Sequence, residues 1–319
     1  MARVAVFGEV GKPVMAPRKS SMECLRQDDG NGYRQSDVNM TRSAKDNELN
    51  GALERMQKAV DERAAGIAIQ LPLWPEPRRG TPNSFIRSAL FAAIQSKDRV
   101  FLKDIVLASQ DGIVVKFTGE QLNQTDLDVW ETIVHMARTH PLGDICTFTA
   151  HGLLKTMGLP TGNSQHKQLH ETIIRLQACS VQARHEGREY FGPLVMQGTK
   201  DDETRYYNIQ LNRNLIRLFG ENQWTALDWQ QRQELRKEPL TQALHAFYSS
   251  HRRPFPLKLG TLHAYTGSRN KQPADFKRKV RTALERLVEI RFLASYKIES
   301  DLVTVERVQP ASLAASKAT

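Results

Sequence analysis

The chain has 319 residues, 40% hydrophobic and 25% charged, with a formal net charge of +10 and a pI near 9.6. That length suits two packed domains, and the mean hydropathy of -0.50, with only short apolar runs, excludes membrane spans. The cationic excess favours a polyanionic partner, nucleic acid above all.

Residues 1–82 are expected to form a flexible N-terminal region. The first 45 mix Gly, Pro, Ser, Asp, Asn and Arg without a lasting period, and the short apolar run at the start does not make an export signal. Gly8 and Gly11 stand too close for a phosphate loop, and Pro13 follows Lys12. Leu49, Leu53, Met56 and Val60 predict a short amphipathic helix over 46–65. Gln70-Leu71-Pro72-Leu73-Trp74 follows, then a stretch rich in Pro and Gly. The segment reads either as a short edge strand or as an extended docking peptide, with a glutamine for hydrogen bonding and apolar anchors at Leu73 and Trp74. The three cysteines, Cys24, Cys146 and Cys179, lack metal or redox spacing, which fits a cytosolic protein with reduced thiols.

A first domain is expected over 83–220. Phe85, Leu90, Phe91 and Ile94 predict a helix over 84–95, 113–117 reads as a strand, 126–140 as a helix, and 146–149 as another strand. An internal repeat then becomes visible. Residues 148–158 align without gaps on 257–267, matching Leu153 with Leu262 and Gly158 with Gly267, and 174–181 align on 285–292 after a two-residue difference in the loop. Each copy has the order short helix, tight turn, second helix.

In the first copy Leu169, Ile173 and Leu176 form the buried stripe, leaving Asn163, Ser164, Lys167, Gln168, Glu171 and Arg175 outward. Strands at 181–185 and 191–196 around Glu186-Gly187-Arg188 predict a hairpin, read as a wing. His166 and His170 are one turn apart, but Lys167 stands where a zinc-protease motif needs Glu, so no metal site is expected. Residues 205–209 predict a strand and 211–219 a helix.

A second domain is expected over 221–310, opening with helices at 224–236 and 240–251. Its repeat copy has a polar turn with Arg269, Asn270 and Lys271, then Pro273 at the start of a helix. Phe276, Val280, Ala283, Leu287 and Ile290 line one side of that helix, with Lys277, Arg278, Lys279 and Arg281 opposite. A hairpin over 292–298 and 302–308 is a second wing, and 311–319 a disordered tail. The fold class is therefore α+β, two tandem winged-helix (helix-turn-helix) domains behind a flexible N-terminal region. No catalytic constellation or nucleotide cradle is legible, so a non-enzymatic DNA-binding protein without a cofactor is expected.

Duplicated winged helices together with the Gln70–Trp74 segment resemble the plasmid replication initiators of the TrfA type. The resemblance implies binding of double-stranded DNA at direct repeats (iterons) of an origin and opening of an adjacent A·T-rich region, with contact to the exposed single strand. It also implies recruitment of the host sliding clamp, DnaA and replicative helicase, a homodimer in exchange with monomer that limits copy number, and a bacterial cytoplasmic location on the plasmid. Iteron contact is carried onto Asn163, Ser164, Lys167, Gln168, Arg175 and Arg188 in the first copy. In the second it falls on Arg269, Asn270, Lys271, Lys277, Arg278 and Arg281. Clamp contact is carried onto Gln70, Leu71, Leu73 and Trp74, with Trp where such motifs more often have Phe. The competing reading is a winged-helix transcriptional regulator.

Overall fold

The computed structural model describes residues 51, 56, 71–139, 145–201, 203–220 and 222–308. The chain divides into Met1–Arg63 and Ala64–Thr319, and the architecture below belongs to the second unit. The expectations for residues 1–50, for most of the helix over 46–65, for Gln70 and for the tail over 311–319 lie outside the described residues.

β1 (Arg78–Pro82) opens the unit, followed by a single helical turn, α1 (Asn83–Ile86), and by β2 (Phe91–Ala92). The helix expected over 84–95 therefore breaks early. The Ser88 hydroxyl donates to the carbonyls of Ser84 and Phe85, a local bond that competes with helix continuation. Phe85 and Phe91 both reach Trp130, with ring centroids 5.3 and 6.5 Å away, a convergence one straight helix would not give.

β3 (Phe101–Leu107) and β4 (Ile113–Glu120) pair antiparallel. In β4 Ile113, Val115 and Phe117 are buried while Val114 is exposed, the period-2 alternation of a half-buried strand. β5 (Leu122–Asn123) pairs parallel with β2 and leads into α2 (Gln124–Ala137). Asn123 and Asp126 close a reciprocal capping box at its start. β6 (Ile145–Thr149), α3 (Ala150–Thr156) and α4 (Asn163–Ala178) follow, then β7 (Ser180–His185), β8 (Arg188–Gly192), β9 (Gln197–Lys200) and β10 (Tyr206–Gln210). A 3-10 helix occupies Arg213–Phe219.

Residues 224–236, expected as one helix, split into β11 (Trp224–Asp228) and α5 (Trp229–Glu234). β1 supplies the reason: it pairs with β11 over its whole length, satisfying backbone groups that a helix would leave to water. Asp228 then caps α5 by accepting from the Gln231 amide. α6 (Pro239–Ser249), β12 (Leu257–Lys258), α7 (Leu259–Tyr265), α8 (Pro273–Glu289), β13 (Leu293–Glu299) and β14 (Leu302–Arg307) complete the chain.

Two hydrophobic cores result. The first gathers around Trp130, Phe85, Leu153 and Leu176 and includes Leu71 and Trp74. The second gathers around Leu244, Leu262, Phe276, Val280, Leu287 and Val303. Sheet topology repeats with the sequence: β6-β10-β9 forms one three-stranded sheet and β12-β14-β13 another. In each, the strand leading into the first short helix pairs with the last strand of a hairpin. The hairpin β7–β8 instead extends a separate sheet, β3-β4-β7-β8. The strand that corresponds to the wing of the second copy is thus β10, and the hairpin expected at 181–196 has a different partner. Two hairpins compete for one place in the repeat, and only long-range pairing decides between them.

Candidate nucleic-acid interface

In the first copy the Thr149 hydroxyl accepts from the Gly152 amide to start α3. Gly158, at φ 66°, ends the turn after it in the left-handed region that glycine tolerates. Leu169, Ile173 and Leu176 are buried, fixing the rotation of α4. Asn163, Ser164, Lys167 and Gln168 are exposed on its free side, and Lys167 lies 3.9 Å from Glu171.

Arg175 does not join them. Its guanidinium reaches Asp126 at 2.8 Å and Glu120 at 2.9 Å, and Asp126, fully buried, also holds Arg99 at 2.9 Å. A helical wheel puts Arg175 outward, but a buried carboxylate needs its cations, so this arginine serves the core edge. Arg188 opens β8, away from the three-stranded sheet of the repeat.

The β9–β10 hairpin supplies what the sequence reading missed. With α3 and α4 it lines a cleft containing His151, His166, Lys167, His170, Lys200 and Arg205. The Tyr207 hydroxyl lies 3.1 Å from Nδ1 of His170. The signal was present in the spacing of the repeat, since a hairpin must follow each copy; the β7–β8 insertion displaced it.

The second copy is built alike. Gly267 has φ 59°, and Pro273 occupies the first turn of α8. Asp275, in that turn, binds the Asn270 amide, Arg278 at 2.5 Å and Lys279 at 3.1 Å. These three partners, Arg278 first, hold the Asp275 carboxyl down at about 2. The carboxylate thereby ties the turn to the helix. Lys277 donates to the carbonyl of Ser300 at 2.6 Å, joining α8 to the tip of β13–β14. Arg269, Lys271, Arg278 and Arg281 are exposed. Arg269, Asn270, Lys271 and Arg278 line one cleft beside the turn, and Asn270, Lys271 and Lys277 line a second one.

The segment before β1 is placed differently from a free peptide. Leu73 is 73% exposed, but Leu71 and Trp74 are only 3% and 4% exposed. The Trp74 indole N–H donates to Nδ1 of His135 at 2.9 Å, and its ring stacks on Phe219 with centroids 5.9 Å apart. Arg138 donates to its carbonyl. A Cβ on Gly80 would sit 2.5 Å from the indole, so the absent side chain makes room for the ring. Among the described residues no group of three His, Cys, Asp or Glu is arranged to hold a metal ion, and no helix is long and apolar enough to cross a membrane.

Comparison with known proteins gives the family. The family model described as TrfA protein matches residues 40–307. The chain belongs to the TrfA family. It is similar to the plasmid replication initiator protein TrfA of Escherichia coli, 26% identical over 250 residues that cover 73% of this chain and 63% of that protein. It is also similar to RepFIB replication protein A of Salmonella typhi, 28% identical over 207 residues, covering 60% of this chain and 62% of that protein. The matched part thus spans somewhat under two thirds of these relatives of the TrfA-family chain. Among solved structures, domains 2 and 3 of RctB align at 13% identity with a TM-score of 0.49, covering 72% of this chain and 99% of theirs. The Pi initiator protein in complex with iteron DNA aligns at 11% identity with a TM-score of 0.41, covering 59% and 96%.

Proposed function

We propose that this chain is a plasmid replication initiator that binds double-stranded direct repeats through two tandem winged-helix units. α4 and α8 would each enter a major groove, with β9–β10 and β13–β14 as wings on the flanking backbone. The observation that carries the proposal is the duplication itself: the same strand, helix, left-handed glycine, helix and hairpin order occurs twice, and the second copy turns Arg269, Lys271, Arg278 and Arg281 outward. Membership of the TrfA family supports the same reading.

The two units divide the work. α8 and its turn supply cations for phosphate neutralisation and for bidentate contacts to guanine. α4 offers mainly amide and hydroxyl groups, through Asn163, Ser164 and Gln168, suited to reading base edges, while Lys200 and Arg205 at the β9–β10 hairpin face the backbone. Opening of the adjacent A·T-rich region draws on binding energy from several bound copies rather than on nucleotide hydrolysis, so no enzymatic step is proposed. DnaA, the replicative helicase and the sliding clamp are the proposed host partners in the bacterial cytoplasm. Clamp docking through Gln70, Leu71, Leu73 and Trp74 requires release of Trp74 from its place beside His135, because Leu73 is exposed while Leu71 and Trp74 are buried.

The test is footprinting of the purified chain on tandem direct repeats of a plasmid origin at about 150 mM salt with random competitor, followed by permanganate probing of the neighbouring A·T-rich segment. Periodic protection with permanganate-reactive thymines beside it is the expected result. Protection of an isolated promoter-like site with no strand opening would replace the initiator by a regulator.

A further inference from the structure

The two copies of the repeat differ in the charge of their second helices. Aligning 174–181 on 285–292 and carrying that alignment back along the helices sets Leu169 on Val280 and Ile173 on Leu284, each of them buried. The same step sets His166 on Lys277, Lys167 on Arg278 and His170 on Arg281. Two permanent cations of the second copy are thus imidazoles in the first, and imidazole is the side chain that changes charge between about pH 5 and 8.

A third imidazole joins them. His151, in the first turn of α3, lines the cleft with His166 and His170, beside Lys167, Lys200 and Arg205. His151 and His170 are exposed and His166 is half-buried. The Tyr207 hydroxyl, 3.1 Å from Nδ1 of His170, ties that ring to the hairpin, while Nε2 of His166 is buried without a hydrogen-bond partner. An unpartnered ring nitrogen has no internal acceptor for the proton that charging adds. The described carboxylates on these elements are Glu171 on α4 and Asp201 and Glu203 between β9 and β10, and none of them lines the cleft. Glu171 lies 3.9 Å from Lys167, and Asp201 accepts from the Thr204 amide.

The hairpins differ as well. In the second copy the cleft in the same place is lined by Lys277 with Ser300 and Asp301, and Lys277 donates to the Ser300 carbonyl, so the hairpin itself answers the cation. In the first copy the hairpin adds Lys200 and Arg205. Cations then stand beside imidazoles, and their counter-charge has to come from outside. A phosphodiester fits, because its oxygens accept several charge-assisted N–H bonds and stay ionised wherever imidazole titrates. We infer that this cleft receives a backbone phosphate of the bound DNA, held by the protonated rings of His151, His166 and His170 together with Lys200 and Arg205. The first unit's grip on DNA therefore tightens on acidification, whereas lysine and arginine, in the matching places of the second unit, are charged throughout that range. This rests on the proposed entry of α4 into a groove, and it adds the residues that hold the backbone there and the condition that strengthens them.

Fluorescence anisotropy of a labelled duplex carrying direct repeats of a plasmid origin, titrated with the full chain at about pH 6 and about pH 8 and matched salt, tests it. The wild type is expected to bind at least about tenfold tighter at the lower pH, with the slope of log affinity against log salt steeper by about one, the share of a single phosphate. His151→Gln with His166→Gln and His170→Gln binds at both pH values with the weaker affinity of the wild type. His166→Lys with His170→Arg binds tightly at both, and circular dichroism checks that each variant is folded. His263→Gln, in the cleft of the second copy, keeps the wild-type ratio; its loss there would move the effect to the second unit and overturn the proposal. Equal wild-type affinity at the two pH values, or a folded glutamine variant that keeps the wild-type ratio, overturns it too, while binding to the repeats still stands. No binding to the repeats at either pH removes the initiator reading and this inference together.

Discussion

Arg175 and Arg281 lie on the second helices of two copies of one motif and do opposite things. Arg175 is held between Glu120 and the buried Asp126, so Arg175→Ala leaves Asp126 with one cation, Arg99, beside its capping bond from the Asn123 amide. The expected result is a loss of about 1 to 3 kcal/mol of stability by urea unfolding, with the DNA affinity of the folded protein nearly unchanged. Arg281 is exposed on α8, and Arg281→Ala is expected to cost roughly 1 to 3 kcal/mol of binding to the repeat with little change in unfolding. Affinity measured at matched salt distinguishes them, and reversed effects would misplace both helices. A wheel drawn from sequence put both arginines outward. It could not reveal that Asp126, in the first turn of another helix, draws one of them in.

Between elements, the buried ion-pair network around Arg232 dominates. Its guanidinium, fully buried on α5, lies 2.5 Å from Asp128 and 3.6 Å from Glu131 of α2, and donates to Gln124. Arg232→Ala strands two buried carboxylates and is expected to cost about 3 to 5 kcal/mol in urea unfolding. Adding Asp128→Asn and Glu131→Gln should recover part of that loss, and no recovery would mean the arginine acts through packing alone.

Buried histidines make the same elements sensitive to acid. Burial lowers His135 to about 4, His245 to about 3 and His251 to about 4. Unfolded histidines take up protons near 6.5, so the stability these groups contribute is present above that pH and drains away as pH falls towards 4. Burial pushes Glu131 up to about 7 and raises Asp128. Their contributions run the other way, present at low pH and lost as pH rises through the folded values. With three groups against two, the urea midpoint is expected to be lower at pH 5 than at pH 7, and Glu131→Gln should steepen the fall. A midpoint that rises on acidification would contradict this.

Element-level legibility followed periodicity. α2, α4, α6 and α8 were readable because their apolar stripes span several turns. β1 and β11 were not, because each is a strand only by virtue of the other across a long stretch of chain. The same long-range dependence hid the β9–β10 hairpin and the burial of Trp74.

At the scale of the molecule, the two repeat copies are tied together. β1–β11 pairing crosses the boundary expected near residue 220, and the Ala93 amide donates to the Thr266 carbonyl at 2.7 Å. A Cβ on Gly267 would lie 2.9 Å from that of Ala92, so the turn between α7 and α8 rests directly on β2. With so little room to swing, α4 and α8 should address DNA at one fixed separation. The repeat architecture was legible in the sequence through Gly158 and Gly267, whereas this coupling depends on Ala89, Ala92 and Ala93, small residues that carry no pattern of their own.

Hydroxyl-radical footprinting on a single repeat, with and without five base pairs inserted at its centre, tests the central claim most directly. One chain reading two successive major grooves should protect two patches about 10 bp apart on the uninterrupted repeat, and the insertion, about half a helical turn, should abolish one patch and most of the affinity. Equal protection and affinity on both DNAs would show that the two helices do not act as one reading head.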